Sequence, residues 1–367
     1  MEIGGVCPPE FCEIKDIFKN YFVNQTEDGA NFSVVKNGNI IINLFGGFKN
    51  NKELWDQNTI VNTFSLSKGI YAACVTKLIN DRELDIEKDV CFYWPNFHKN
   101  IKVKHVLSHQ SGIYRFKEKL KNNDLLNYNK IIKVLENQTP DHKPGAHTFY
   151  HAKTHGFLVE NLIRRITGDT LSEYFKKNFK YKFDINFVFS FQEKDFKNVA
   201  DLIESEKLKD KKKNEYDAFN NPKHDILYYN TKDWRLAGIP SMGGHGSALS
   251  IAKLYDILAN DLRSNKNVII EKEKFKTILT DTKSKIDLSL KFPVRWTHSG
   301  FILRGGWMFG KNKENFGHNG WGGSLGFGDP IEGIGVSYVT RKINASMGAD
   351  IRAVNLIKKF YDIIEKN

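Results

Sequence analysis

β-type sequence patterns occur near both ends of this 367-residue chain, and helical patterns fill the region between them. In residues 31–45, two β-rich runs flank Asn37-Gly38, a pair that favours the tight turn of a hairpin. Further β-rich runs lie at residues 301–303 and 334–339. Apolar residues at helical spacing predict helices over residues 10–22, 66–78, 102–109, 125–137, 153–167, 171–179, 250–262 and 349–364.

The simplest fold that unites these patterns is α+β (an α/β sandwich). It has an antiparallel sheet built from both termini and flanked by helices, with an inserted mainly helical domain. We expect residues 1–80 and 290–367 to form the α/β domain and residues 81–289 to form the helical insertion, with the active site between them. Hydrophobic residues make up 40% of the chain, which is enough for a substantial core.

The N-terminal segment lacks the basic and apolar regions of a secretory signal, and the chain contains no long apolar run typical of a transmembrane helix. Its four cysteines are too few for a disulfide scaffold. We therefore expect a cytoplasmic protein that does not act on a membrane. The cysteines are Cys7, Cys12, Cys74 and Cys91.

The net charge of +12 comes from 55 lysines and arginines against 43 acidic residues. Most of the cations are lysines, whereas specific nucleic-acid recognition relies largely on the arginine fork. The Lys-rich stretch 207–213 also contains Asp210 and is typical of a solvated loop. A lysine-coated surface explains the charge better than a nucleic-acid site, so no nucleic-acid partner is expected.

The strongest local signal is Ser65-Leu66-Ser67-Lys68 at the start of the predicted 66–78 helix. Residues three apart share a helix face, so Lys68 can reach the Ser65 hydroxyl. A serine needs an adjacent base to become a nucleophile, and a desolvated lysine can lose its proton and serve as that base. The helix N-terminus also favours developing negative charge.

The same Ser-x-x-Lys spacing occurs twice more, so spacing alone is weak evidence. Ser33 and Lys36 fall in a predicted strand, where they do not share a helix face. Ser250, before Lys253, is typical of an ordinary helix N-cap, and Ser65 itself has that alternative interpretation. Further motifs distinguish Ser65: Tyr150 precedes a predicted helix, and Gly317-His318-Asn319-Gly320 precedes a β run.

With these motifs in this order, the chain resembles the serine β-lactamase and penicillin-binding-protein superfamily, specifically its class C β-lactamase-like esterase branch. That family carries Ser-x-x-Lys, then a Tyr motif, then Lys-Thr-Gly or His-x-Gly. The resemblance covers nearly the whole chain. The segments that carry it are residues 55–69, 106–112, 150–168, 239–248 and 317–330.

The resemblance implies a catalytic set of Ser65 as nucleophile, Lys68 as base alone or with Tyr150, and Tyr150 as proton carrier to the leaving group. His318 stands where class C β-lactamases have lysine. The reaction implied is a two-step acyl transfer through an acyl-enzyme, with no metal and no cofactor. The implied oxyanion and substrate-binding residues, with backbone N–H donors on Ser65 and Trp321, are Asn319, Gly320 and Trp321.

Two departures from the family pattern bear on the substrate. Penicillin-recognising members have Tyr-x-Asn, but this chain has Ala152 at the Asn position, which cannot hydrogen-bond an acylamide. His318, neutral at pH 7 with an ordinary pKa, replaces the lysine that holds a β-lactam carboxylate. Together they favour a carboxylesterase that acts on small, neutral esters or amides. The alternatives are a β-lactamase or a D-amino-acid peptidase of the same superfamily.

The sequence also permits three other interpretations of its function. Residues 322–326 match Gly-x-Ser-x-Gly, but a β run follows them and no histidine occurs after His318 to act as the base of an α/β-hydrolase. His147, His151 and His155 recur every four residues, which is compatible with a zinc site on one helix face. A non-catalytic binding or assembly protein with this fold is the alternative from another class, although all four key side chains are chemically competent.

Overall fold

The computed structural model describes residues 2–206, 217–260, 263–264, 267–268, 275, 279, 284–345, 348 and 350–366. The Lys-rich stretch 207–213 and the last two positions of the predicted 250–262 helix lie outside these residues. Its strands are β1 Gly4–Val6, β2 Gly29–Lys36, β3 Asn39–Gly47, β4 Val61–Asn62, β5 Phe187–Val188, β6 Ile203–Glu204, β7 His245–Gly246, β8 Arg263–Ser264, β9 Asn267–Val268, β10 Lys285–Asp287, β11 Phe292–Trp296, β12 Ile302–Leu303, β13 Phe316–Asn319, β14 Leu325–Asp329, β15 Ile334–Thr340 and β16 Lys342–Ile343.

The described helices agree in most places with the predicted ones. Single 3-10 or π turns lie at Pro9–Phe11, Asn122–Leu126, Lys176–Lys180, Glu193–Asn198 and Leu227–Asn230. The α-helices are Cys12–Val23, Leu66–Asn80, Val90–Tyr93, Val103–Leu107, Tyr128–Asn137, Thr154–Thr167, Leu171–Phe175, Tyr181–Phe183, Asp217–Asn220, Lys232–Ala237, Ala248–Ala259 and Ile351–Ile364.

Nine strands form one antiparallel sheet, in the order β1-β3-β2-β15-β14-β13-β12-β11-β10. The first three strands in this order come from residues 4–47 and the other six from residues 285–340. The predicted α+β fold, with an antiparallel sheet built from both ends of the chain, is confirmed. The division into domains at residues 80 and 290 stays a prediction.

Helices cover both faces of the sheet. On one face, the Cys12–Val23 and Ile351–Ile364 helices share an apolar cluster with alternate residues of the strands, among them Phe32 and Tyr338. On the other face lies the Ala248–Ala259 helix. A Cβ at Gly335 of β15 would stand 2.0 Å from the carbonyl oxygen of Ala252, so glycine is required for this close approach.

The first hairpin turns where the sequence predicts. Asn37 and Gly38 both adopt positive φ, 51° and 79°, as a tight Asn-Gly hairpin turn requires. The Asp256 carboxylate accepts hydrogen bonds from the backbone N–H of both residues, each at 2.8 Å. The turn is therefore fixed to the Ala248–Ala259 helix.

Of two helix boundaries predicted from the sequence, the structure confirms one and corrects the other. Gly168 ends the Thr154–Thr167 helix in the left-handed conformation, with φ of 80°, as predicted. The N-cap of the Ala248–Ala259 helix is Ser247, whose hydroxyl accepts from the backbone N–H of Ser250, so the N-cap role predicted for Ser250 is wrong. In the part of the chain described, no helix has the length and apolar character needed to cross a membrane.

Candidate active site

Ser65 occupies the N-cap position of the Leu66–Asn80 helix, immediately after a strained residue. Phe64 adopts a φ of 47°, which is uncommon for a residue with a bulky side chain. The Asn62 side chain stabilises this turn by accepting a hydrogen bond of 2.8 Å from the backbone N–H of Phe64. The Ser65 hydroxyl makes no capping bond to the helix and is left for other partners.

Lys68 lies one helical turn further along, and its side chain is fully buried. Its Nζ is 3.2 Å from the Ser65 Oγ, 2.9 Å from the carbonyl oxygen of Ala152 and 3.0 Å from that of Ser241. Burial away from water drives the pKa of Lys68 well below its usual value. A neutral amine has two N–H groups and one lone pair, so two carbonyls and one hydroxyl satisfy it completely.

Tyr150 lies beside the same two side chains. The Lys68 Nζ is 5.1 Å from the centre of its ring, and its phenol is close enough to Ser65 for the two groups to interact. Burial raises the pKa of Tyr150 well above the usual value, and the nearby Asp287 charge adds to this effect although the interaction with Ser65 opposes it. The phenol therefore keeps its proton at neutral pH.

His318, on β13, faces Tyr150 at 6.3 Å between ring centres. Its Nδ1 lies 2.7 Å from the carbonyl oxygen of Asn319, so we assign the proton to Nδ1. The buried Nε2 then carries a lone pair, and it has no hydrogen-bond partner among the described residues. Burial lowers the pKa of His318 to about 3, so the ring is neutral at physiological pH.

The turn after β13 lies against the segment before Ser65. A Cβ at Gly320 would stand 2.1 Å from the carbonyl oxygen of Thr63, and the Trp321 ring packs edge-on against Phe64 at 5.2 Å. Among the described residues, no acceptor pairs with the backbone N–H of Ser65 or of Trp321. Two free N–H donors on adjoining segments are what an oxyanion hole needs.

These residues border a cavity of about 690 Å³. Its wall includes Ser65, Tyr150, His318, Asn319 and Trp321, but most of it is aromatic or aliphatic. A concave, largely apolar space with a few convergent polar groups is typical of a small-molecule site. The apolar and aromatic part of the lining comprises Phe64, Ala152, Phe219, Ile226, Tyr229, Met242, Leu290, Phe292, Val294, Trp296, Ile302 and Ala345.

Comparison with known proteins identifies the family. A family model described as Beta-lactamase matches residues 14–358, nearly the whole chain. The chain belongs to the beta-lactamase family.

Individual relatives of this beta-lactamase-family chain include named esterases. The chain is 30% identical to a solved family VIII carboxylesterase, with a TM-score of 0.92 over 99% of this chain and 100% of that one. It is 26% identical to a solved penicillin-binding-protein homologue from Caulobacter crescentus, with a TM-score of 0.91 and the same coverage. It is 24% identical over 364 residues to the esterase/beta-lactamase LipL of Mycobacterium tuberculosis, covering 93% of this chain and 83% of that protein. The protein is thus a hydrolase of the serine β-lactamase superfamily.

The two other motifs have structural explanations in this beta-lactamase-family fold. Ser324 of the Gly-x-Ser-x-Gly match is buried, accepts a hydrogen bond from the backbone N–H of Thr340 and precedes a strand, not a helix. His147 is exposed and lies before the Thr154–Thr167 helix, so the three histidines do not share one helix face. In the described residues, no group of three or more histidines, cysteines or carboxylates is placed to hold a metal ion.

His151 and His155 are committed to buried hydrogen bonds. The Nδ1 of His151 lies 2.6 Å from the carbonyl oxygen of Phe149, and its Nε2 lies 2.6 Å from the Ser111 hydroxyl. The Nδ1 of His155 lies 2.5 Å from the Tyr71 hydroxyl. These contacts give His151 and His155 a structural explanation within the fold.

Two side chains next to Tyr150 carry no recognisable sequence signal. The Asp287 carboxylate, on β10, accepts a hydrogen bond of 3.0 Å from the backbone N–H of Tyr150. Trp296, on β11, stacks on the Tyr150 ring at 5.6 Å with an interplanar angle of 7°. Both are about 140 positions away from Tyr150 in the sequence, so only the folded sheet brings them to the site.

Proposed function

We propose that this protein is a carboxylesterase that hydrolyses small esters, or amides, through an acyl-enzyme on Ser65. One observation carries the proposal: the only partners of the buried Lys68 amine among the described residues are two carbonyls and the Ser65 hydroxyl. An amine in this setting is held neutral by burial, and its lone pair points to the one group that can give it a proton.

In the acylation step, Lys68 accepts the proton of the Ser65 hydroxyl while the oxygen attacks the ester carbonyl carbon. The carbonyl oxygen takes up the negative charge, and the backbone N–H groups of Ser65 and Trp321 stabilise it. When the tetrahedral intermediate collapses, the bond to the leaving oxygen breaks. That oxygen must receive a proton to depart as an alcohol.

Tyr150 delivers this proton. Its raised pKa keeps it as a phenol, so it gives its proton to the leaving oxygen and receives one from the Lys68 ammonium. This division assigns the base to Lys68 and the relay to Tyr150. Deacylation runs the same path in reverse, with water in place of the alcohol.

His318 offers an acceptor to this relay. Its ring lines the cavity 6.3 Å from that of Tyr150, and its unpartnered Nε2 is the acceptor that we assign to the phenol or the substrate. A neutral imidazole cannot hold a β-lactam carboxylate as a lysine does. Together with the aliphatic Ala152 in the cavity wall, this favours esters over β-lactams.

Labelling with a fluorophosphonate followed by peptide mapping tests the proposal. We expect one adduct, on Ser65, together with esterase turnover, and we expect Ser65→Ala to lose both. Ser324→Ala is the matched control, because Ser324 belongs to the competing serine motif and should not affect labelling.

An adduct that persists in Ser65→Ala would contradict the nucleophile assignment. A folded protein that neither labels nor turns over esters would favour the non-catalytic binding protein. Fast turnover of a chromogenic cephalosporin would instead favour a β-lactamase.

A further inference from the structure

The charged residues of the cavity are unevenly distributed between its interior and its mouth. Of the described lining residues, the carboxylates are Glu204 and Asp225, and both side chains are exposed. Lys153 is buried, with 3% of its surface exposed, and Arg304 is partly buried. The interior of the cavity is therefore cationic, while its acidic groups lie in solvent, where salt screens them.

Lys153 already has a partner. Its amine donates a hydrogen bond to the carbonyl oxygen of Pro222, and burial lowers its pKa to about 7. Its charge is therefore partly lost at neutral pH. The third cation of the lining, Lys223, is exposed and has an interaction partner of its own. Arg304 is therefore the cation to consider.

Arg304 is placed differently. It follows β12, and its backbone is fixed by a hydrogen bond from its N–H to the carbonyl oxygen of Asn315 at 3.1 Å. The guanidinium carbon lies 4.6 Å from the ring centre of Phe292 and 5.5 Å from that of Trp307. Within the described part of the chain, the guanidinium forms no ion pair and no hydrogen bond.

A guanidinium carries five N–H donors and a charge that arginine does not lose, so a ligand that accepts these hydrogen bonds suits it well. The two aromatic rings orient its plane but accept none of these hydrogen bonds in the usual sense. Its charge also helps to lower the pKa of His318, so its field reaches the site around Ser65. The guanidinium is therefore held in the cavity wall near the proposed reaction centre, without a protein acceptor among the described residues.

We propose that Arg304 binds a carboxylate of the substrate, so that the preferred esters carry a second, free carboxylate in their acid or alcohol part. The planar fork of arginine matches a carboxylate with two parallel hydrogen bonds. This inference rests on the proposed esterase function and revises the neutral substrate expected from the sequence. Arg304, which follows β12, would hold this carboxylate at a position other than that of His318.

Matched esters test the inference. The acid-side pair is the mono-p-nitrophenyl ester of adipic acid and its methyl ester, which differ in the free carboxylate. The alcohol-side pair is 4-(carboxymethyl)phenyl butyrate and its methyl ester. At low ionic strength we expect kcat/KM to favour the carboxylate-bearing member of at least one pair by about 10- to 100-fold, the range of a charge-assisted hydrogen bond.

The ratio within a pair is the readout, because general damage to the enzyme lowers both rates together. Arg304→Met should reduce the favoured ratio to near one, and Arg304→Lys should retain part of it. Arg165→Met is the matched control, because the Arg165 guanidinium also lies over an aromatic ring, that of Trp94 at 5.7 Å, but outside the cavity lining. A wild-type ratio near one for both pairs, or a ratio that survives Arg304→Met, would overturn the inference.

A binding measurement separates this inference from the proposed function. Calorimetric titration of adipate into the wild-type protein and into Arg304→Met needs no turnover. If no ester is hydrolysed, the esterase proposal fails, yet adipate binding that weakens at least tenfold in Arg304→Met still supports the carboxylate site. Absence of adipate binding to the wild-type protein would contradict it.

Discussion

At the scale of the residue, the site depends on a cation that is buried without a counter-ion. Among the described residues, no carboxylate lies within ion-pair distance of Lys68, and its hydrogen-bond acceptors are uncharged. Burying a lone ammonium is costly, so the group responds by releasing its proton. The same burial that would destabilise a structural lysine thus suits Lys68 to the proposed role of base at neutral pH.

Substitutions at Lys68 and Tyr150 test this proton path. We expect Lys68→Met and Tyr150→Phe each to lower kcat about 100-fold or more, the scale of general acid–base catalysis. In the wild-type enzyme the rate should fall as the pH falls through the lowered pKa of Lys68, because protonation removes the base. Since the pKa of His318 is about 3, this acidic limb should persist in His318→Gln. Steady-state kinetics across pH measure both effects, and a wild-type rate in either variant would remove that residue from the path.

The four proposed catalytic side chains could be identified from the sequence because each lies in a motif of a known family. Asp287 and Arg304 could not, since each is an isolated charged residue outside any recognised motif. The importance of Asp287 comes from the backbone N–H of Tyr150, which it contacts only after folding. The importance of Arg304 comes from its place in the cavity wall, where its guanidinium has no ion-pair or hydrogen-bond partner among the described residues. This is a property of the folded cavity and not of the sequence.

At the scale of the element, two segments must approach closely for the proposed oxyanion site to form. One is the turn between β13 and β14, and the other is the segment of residues 63–65 that begins the Leu66–Asn80 helix. Gly320 lies where they meet, with no room for a side chain against Thr63. The hairpin at residues 31–45 was predictable because its turn is local, whereas this contact joins segments about 250 residues apart and gives no local signal.

Gly320→Ala tests this close approach. The added methyl group would stand 2.1 Å from the carbonyl oxygen of Thr63, so the turn must move and carry the backbone N–H of Trp321 away from Ser65. We expect kcat to fall about 100-fold, the scale of losing one oxyanion donor, with a smaller change in KM. Steady-state kinetics and circular dichroism report the rate and the fold.

The control for this variant is Gly168→Ala. Gly168 ends a helix with φ of 80° and has open space around it, so alanine there lowers stability without touching the site. The penalty is about 1 kcal/mol. If Gly168→Ala lowers kcat as much as Gly320→Ala does, the loss reflects stability and the proposed oxyanion contact is wrong.

At the scale of the whole molecule, several histidines are buried in neutral form. Burial lowers the pKa of His151, His245 and His318 to about 3, and it lowers those of His109 and His155 as well. Unfolded histidine has a pKa of about 6.5. Below that pH the unfolded chain binds protons that the folded chain does not, so acid favours unfolding. The raised pKa of Asp287, about 6, acts in the opposite direction, because its carboxyl is protonated more readily in the folded state.

His151→Gln removes the contribution of one histidine to this pH dependence of stability. Glutamine can donate to the carbonyl oxygen of Phe149 and accept from the Ser111 hydroxyl, as His151 does, but it does not titrate. Between pH 7.5 and 5, we expect the variant to lose about 2 kcal/mol less unfolding free energy than the wild type, because one proton fewer is taken up on unfolding below pH 6.5. Urea denaturation at several pH values measures this difference. His147→Gln, at an exposed position, should behave like the wild type. Equal pH dependence of stability in His151→Gln and the wild type would mean that His151 has the same pKa in the folded and the unfolded chain, which would contradict its burial in neutral form.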